Sequence, residues 1–139
     1  MKLDYSAFEK AIKQLEKSRE FLHSKIARKN KDLYEQFRTA SIKAFEYTYE
    51  LALKMVRRQL EQITLNPEEL REMVFMDFIR TAYEAGLVRE VPIFKTYREK
   101  RNVTSHTYDA QKAELILSIL DPFLCDARYI LDELKKRNL

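Results

Sequence analysis

An all-α fold, a bundle of four long helices with a short extra helix before the last, is what this sequence predicts, from three observations. Apolar residues recur at spacings of three, four and seven along most of the chain, the period of helices with one buried face. The 139 residues include one Gly and three Pro, with 35% charged, a composition suited to long, solvent-facing helices. The few interruptions carry helix start and stop chemistry. The length is that of one ordinary domain, able to bury roughly two thirds of its unfolded surface, so a single domain over residues 1–139 is expected.

The first helix is read from Tyr5, Phe8, Ile12, Leu15, Leu22 and Ile26, which share one face. Ala27–Asp32 has no apolar side chain larger than Ala and reads as the first turn, with Asp32 as N-cap. A second long helix follows, carrying Leu33, Phe37, Ala40, Ala44, Thr48, Leu51 and Met55 toward a polar end near Gln62. Asn66-Pro67-Glu68-Glu69 starts the third: a capping side chain, a proline where no amide donor is lost, and carboxylates at the positive helix end. Leu70, Met73, Val74, Ile79, Ala82 and Tyr83 form its buried side, and Gly86 is placed for a left-handed C-terminal cap. A brief basic helix runs from Val91-Pro92-Ile93-Phe94 to Arg101. Asp109 caps the last helix, whose core residues are Leu115, Ile116, Ile119, Leu120, Phe123, Leu124, Ala127, Ile130, Leu131 and Leu134. Pro122 should kink or restart that helix, with Asp121 as a new cap.

Composition also narrows the function classes. A net charge of +4 tolerates a phosphate-bearing partner without identifying one. The lone Cys125 forms no internal disulfide, and no apolar stretch follows a basic one in the manner of a secretory signal, so a cytoplasmic location is expected. No apolar run approaches the roughly 20 residues that span a bilayer, and no membrane partner is expected. One glycine rules out the Gly-rich phosphate loops, and no cofactor is called for. Glu20-x-x-His23 resembles half of a di-metal bundle motif, but the other histidine, His106, has Val103 three residues before it, so no metal site is expected. His23 reads as a surface or half-buried helix residue. Cys125, among Phe123, Leu124 and Ile130, reads as a packed core thiol. Glu46 and Glu50, four apart on the second helix, read as a solvated or salt-bridged face.

What survives is Lys100-Arg101-Asn102-Val103-Thr104-Ser105-His106-Thr107-Tyr108-Asp109. An imidazole titrating near neutrality exchanges a proton with a ribose hydroxyl or a leaving oxygen, and a guanidinium holds the phosphate between them. Lys95, Arg98 and Lys100 lie nearby in sequence, and Tyr97 and Tyr108 offer rings for base stacking. On residue types alone, a loop histidine that caps a helix or fills a polar pocket is the favoured reading, because Arg and His at such a separation recur by chance.

Two stretches add a resemblance: Phe45-Glu46-Tyr47-Thr48-Tyr49-Glu50-Leu51-Ala52-Leu53-Lys54, and Arg101 through Asp109. With Ala82-x-x-x-Gly86-Leu87, they resemble the HepT-like proteins, also called nucleotidyltransferase substrate-binding proteins, a branch of the HEPN superfamily. Leu53 stands where relatives often carry a tryptophan. The resemblance implies a four-helix up-and-down bundle with a short extra helix, a two-fold homodimer, and a minimal nucleotidyltransferase encoded alongside as antitoxin. It implies a metal-independent endoribonuclease site of Arg101 and His106, with Asn102 in the polar position after the arginine and two copies facing each other across the dimer cleft. Tyr108 matches the tyrosine to which the transferase adds AMP. Within the resemblance, Glu46 and Glu50 orient Arg101 or His106, or line the partner surface. The older family name keeps a second reading open: a non-catalytic subunit whose cleft holds a nucleotide or acceptor substrate, with Arg101, Lys95 and Arg98 on its phosphates. A third is a dimeric interaction protein with a merely solvated cleft.

Overall fold

The computed structural model describes residues 2–139, so the first residue of the expected 1–139 domain lies outside them. The described residues form α1 (Ser6–Leu22), α2 (Lys25–Lys29), α3 (Lys31–Ile63), α4 (Pro67–Glu72), α5 (Phe75–Glu84), α6 (Ile93–Asn102), a single 3₁₀ turn (Thr104–His106), α7 (Ala110–Leu117) and α8 (Leu120–Arg137). The architecture is the expected all-α bundle.

Chain direction follows from the contacts between helices. Glu9, Glu16 and Arg19 of α1 pair with Lys135, Arg128 and Asp121 of α8, so the two run antiparallel. Thr48 of α3 reaches the Ala11 carbonyl of α1 at 3.2 Å, and the short link between these helices makes them an antiparallel hairpin. Segment 101–114 descends along α3, with Arg101 on Glu50, Thr104 on Glu46, and Glu114 on Arg38 and Tyr34. One contiguous apolar cluster joins them. Its centre is Phe123 of α8, met edge-on by Phe45 of α3 at 4.9 Å and by Tyr97 of α6 at 5.2 Å. Each such side chain contributes on the order of 1.5–3 kcal/mol by leaving water. The aromatic centre fixes α6 against α3 and α8, and thereby the helix end that carries Arg101.

The local start and stop signals act as their chemistry requires. Asn66 Oδ1 accepts the Glu69 amide at 3.2 Å with Pro67 at the first helical position. Asp109 accepts the amides of Gln111 and Lys112. Gly86, at φ +78°, ends α5: its amide donates to the Tyr83 carbonyl, and the Leu87 amide to that of Ala82, both at 2.9 Å. This paired pattern needs a left-handed residue at the position where glycine adopts it without a Cβ clash.

Several boundaries differ from expectation. The first helix ends at Leu22 rather than beyond Ile26, because Ser24 starts the separate α2 by accepting the Ala27 amide at 3.3 Å; Ile26 is rotated into solvent. Asn30, not Asp32, caps α3, accepting the Leu33 amide. The buried apolar residues of α3 are Ile42, Phe45, Tyr49, Ala52, Met55, Val56 and Leu60, with Thr48 buried beside them. Thr48 and Met55 of the expected stripe are thus buried, while Leu33, Phe37, Ala44 and Leu51 are half-buried and Ala40 is exposed, because α3 is covered on two sides and the line through Phe45, Ala52 and Val56 runs one position past the stripe. The third helix breaks at Met73-Val74 into α4 and α5, leaving Val74 and Tyr83 exposed. The last breaks at Ser118-Ile119, not at Pro122. Pro122 lies in the first turn of α8, where its missing amide costs no bond, and Asp121 pairs with Arg19 instead of capping. Leu115 is exposed. Cys125 falls on the outer face of α8, beside Glu16 and Arg19, and is exposed rather than packed in the core. Leu53, in the family's tryptophan position, is partly buried against the core.

Candidate functional site

Arg101 sits in the last turn of α6 and is held from α3. Its Nε donates to Glu50 Oε1 at 3.0 Å, and Nη2 donates to the same oxygen. Glu46 Oε2 lies 3.8 Å from Nη1. The two carboxylates are four residues apart because that spacing puts both on one face of a helix. The guanidinium is thus ion-paired rather than loose, and Glu50 first of all, as acceptor of its hydrogen bonds, strengthens its hold on its proton.

Thr104 joins the two halves of this cluster. It is 5% exposed, and its hydroxyl donates to Glu46 Oε2 at 2.5 Å while accepting from Arg101 Nη1 at 3.4 Å. That hydrogen bond, ahead of the contributions from Lys43 and Arg101, holds the Glu46 carboxyl below its ordinary value. Lys43 Nζ closes the other side of Glu46 at 3.1 Å. Nearby Tyr49, buried on α3, has its phenol pushed up to about 12 by desolvation, against the opposing charges of Arg98 and Arg101.

His106 ends the 3₁₀ turn begun by Thr104. The turn is closed by the His106 amide on the Val103 carbonyl and the Asp109 amide on the His106 carbonyl, both at 3.0 Å. The imidazole is half-buried, with Nδ1 3.1 Å from Tyr108 Oη. Tyr108 itself is 83% exposed. A phenol both donates and accepts, so this contact suits either imidazole tautomer: as donor to Nδ1 it leaves a proton on Nε2, and as acceptor from Nδ1 it leaves a lone pair there. The atom left free by Tyr108 can therefore act as acid or as base.

The structure brings Arg101, Glu46 and Glu50 together, and in the adjoining turn His106 and Tyr108. It takes other expected residues elsewhere. Tyr97 is fully buried, donating its hydroxyl to Asp126 Oδ2 beside Arg89, so its ring offers no stacking face; the hydroxyl is held protonated by burial and by that carboxylate. Arg98 lies over the Phe75 ring at 4.6 Å. Lys95, in the first turn of α6, lines a groove with Met76, Arg80 and Tyr83. Asn102 is exposed at the end of α6. His23 is exposed where α1 ends. No group of three or more His, Cys, Asp or Glu side chains able to hold a metal occurs among the described residues. The residues missed from sequence are Thr104 and Lys43. Thr104 carried a faint signal, as a hydroxyl three residues past an arginine in a helix break.

A family model described as nucleotidyltransferase substrate binding protein like matches residues 3–136. The chain belongs to this family. A Haemophilus influenzae protein described as "probable ribonuclease HepT" is 40% identical over 98 residues, 70% of this chain and 67% of the relative. A solved Haemophilus influenzae structure, described as revealing the fold of a substrate-binding domain of a nucleotidyltransferase, superposes with a TM-score of 0.90 at 30% identity. The match covers 95% of this chain and 99% of that one. The descriptions of these two relatives thus differ, one naming a probable ribonuclease and the other a substrate-binding domain. Among the described residues no helix is long and apolar enough to cross a membrane.

Proposed function

We propose that this family member is the companion subunit of a minimal nucleotidyltransferase and acts as the HEPN toxin of a toxin-antitoxin pair. In this reading it cuts RNA without a metal at Arg101 and His106 and is silenced by transfer of AMP to Tyr108. The observation that supports the reading is a carboxylate-anchored guanidinium at the end of α6 followed, in the adjoining turn, by an imidazole whose Nδ1 lies 3.1 Å from Tyr108 Oη. In the cleavage step His106 Nε2 takes the proton of a ribose 2′-hydroxyl. The 2′-oxygen attacks the adjacent phosphorus, the bond to the 5′-oxygen breaks, and an imidazolium returns a proton to that oxygen. Arg101 and the neighbouring Asn102 meet the charge that builds on the phosphoryl oxygens. The products are a 2′,3′-cyclic phosphate and a 5′-hydroxyl.

The same geometry supplies the control. Transfer of an adenylyl group from ATP to Tyr108 Oη, with release of pyrophosphate and the hydroxyl proton, leaves an oxygen that no longer donates to His106. It also sets an anion beside the charges that bind substrate phosphate. The homodimer completes the cleft, and the site works in the cytoplasm, where such a transferase and its ATP are present.

The test is incubation of purified dimer with RNA in EDTA, comparing wild type, His106→Ala and Tyr108→Phe. Wild type and Tyr108→Phe are expected to cut, and His106→Ala to lose at least about 100-fold, the scale of a lost general acid-base. Transferase with ATP is expected to silence wild type and spare Tyr108→Phe. Nucleotide binding with no cleavage by any variant would instead establish the non-catalytic binding subunit, with Arg101, Lys95 and Arg98 as phosphate ligands.

A further inference from the structure

One helical turn from the carboxylate that anchors Arg101 lies a feature that the chemistry above leaves unused. A pocket of about 380 Å³ opens between α1 and α3, lined by the small side chains of Ala7, Ala11 and Ala44 and by Tyr47, Gln14 and Lys10. Its size falls at the lower end of the roughly 300–1,000 Å³ typical of small-molecule sites. Alanines along both helices leave the gap, and Tyr47 stands beside it 56% exposed, a large aromatic surface left in water.

The position relates it to the centre. Tyr47 follows Glu46 directly and precedes Glu50 by three residues, and side chains three apart on a helix are surface neighbours about 5–6 Å apart at Cβ. Pocket and guanidinium therefore flank one exposed ridge of α3. Lys43, one turn before Tyr47, adds a cation to that ridge with its side chain 79% exposed. A strand whose phosphate rested on Arg101 would carry an adjoining base across this ridge toward Tyr47. The lining suits a base: an aromatic face for stacking, the Gln14 amide with a donor and an acceptor side by side, and the Lys10 ammonium.

We propose that this pocket is a nucleobase subsite of the Arg101–His106 centre. Tyr47 stacks the base next to the cleaved phosphate, and Gln14 reads its edge. An amide pairs in bidentate fashion with the adjoining donor and acceptor of adenine, so adenine is the preferred occupant. The proposal takes its substrate, RNA, from the ribonuclease reading.

Two measurements separate the subsite from that reading. In the first, full-length His106→Ala protein is titrated with 5′-AMP and 5′-UMP, following the NMR signals of the Gln14 amide and the Tyr47 ring. In the second, it is titrated with octanucleotides that differ at one base. AMP is expected to shift both signals more than UMP. Adding Tyr47→Ala is expected to weaken oligonucleotide binding about ten-fold, the loss of one stacked base. Tyr47→Phe should retain affinity, and Gln14→Ala should flatten the adenine preference. Silent Gln14 and Tyr47 signals, with affinity unchanged in Tyr47→Ala, overturn the subsite even if the protein cuts RNA. Dissociation of a dimer by Tyr47→Ala also overturns it, by assigning the face to a protein contact. Shifts at both residues in a protein whose wild type never cuts RNA retain the subsite and sink the ribonuclease reading.

Discussion

Thr104 does more for the site than its size implies. Its hydroxyl connects Glu46 to Arg101 inside a nearly closed environment, where an unmade hydrogen bond is costly. Removing it tests the electrostatics directly. Glu46 titrates below its ordinary value of 4.5 in the folded chain, chiefly because of Thr104. A carboxyl depressed by folding adds stability that is present above its unfolded value and is lost as pH falls through the folded value. Thr104→Val keeps the shape and removes the donor. It is expected to lower stability by about 1–2 kcal/mol at pH 7, with the deficit shrinking toward pH 3. Urea unfolding at the two pH values measures this, and an equal deficit at both would show that Thr104 acts through packing alone. Arg101 and His106 stood out as residue types that carry chemistry, and the resemblance rather than their spacing joined them as a proposed pair. Thr104 did not, since its importance comes from burial, which no single residue announces. Tyr97 fails in the opposite sense: a tyrosine in a basic helix reads as a stacking ring, while its real partner, Asp126, lies 29 residues away.

At the scale of elements, what was legible was local. Asn66-Pro67, Asp109 and Gly86 act within three or four residues of themselves, so the sequence displays them whole. The breaks at His23-Ser24, Met73-Val74 and Ser118-Ile119 were hidden. Apolar periodicity continues through each, and only packing between helices fixes the rotation on either side; Arg19 on Asp121 is one such constraint. Hence Ile26, Val74 and Leu115 were assigned to buried faces that turn outward. Gly86 gives the element-scale prediction. At φ +78° any side chain is strained, and a Cβ there would lie 3.0 Å from an Arg137 guanidinium nitrogen, which itself donates to the Ala85 carbonyl at 2.7 Å. Gly86→Ala is expected to lose about 1–2 kcal/mol, read as a lower Tm. Gly86→Asn, more tolerant of the left-handed region, should lose less. Equal losses would mean that contact with Arg137, not backbone conformation, dominates.

At the scale of the molecule, the site lies open. Tyr108 is 83% exposed, Asn102 is exposed, and Arg101 keeps about a third of its side chain in solvent at 31%, so one chain alone provides a surface and not an enclosure. One chain also offers one imidazole at this position, whereas the proposed cleavage step uses a base and then an acid. A two-fold interface presents the same patch from both copies and would supply both groups at once across a shared cleft. This gives a quantitative expectation. If each active cleft needs His106 from both chains, mixing equal amounts of wild-type and His106→Ala protein under conditions that allow exchange leaves about a quarter of the dimers fully wild type. Activity should fall to about a quarter of the wild-type value. If each chain cuts with its own histidine, the same mixture keeps about half. Activity per chain should also fall on dilution below the dimer dissociation constant, because mass action removes the second copy. A mixture that keeps half its activity, together with undiminished activity on dilution, would return the whole mechanism to a single chain. His106 would then have to act as base and acid in turn, through the two tautomers that Tyr108 accommodates.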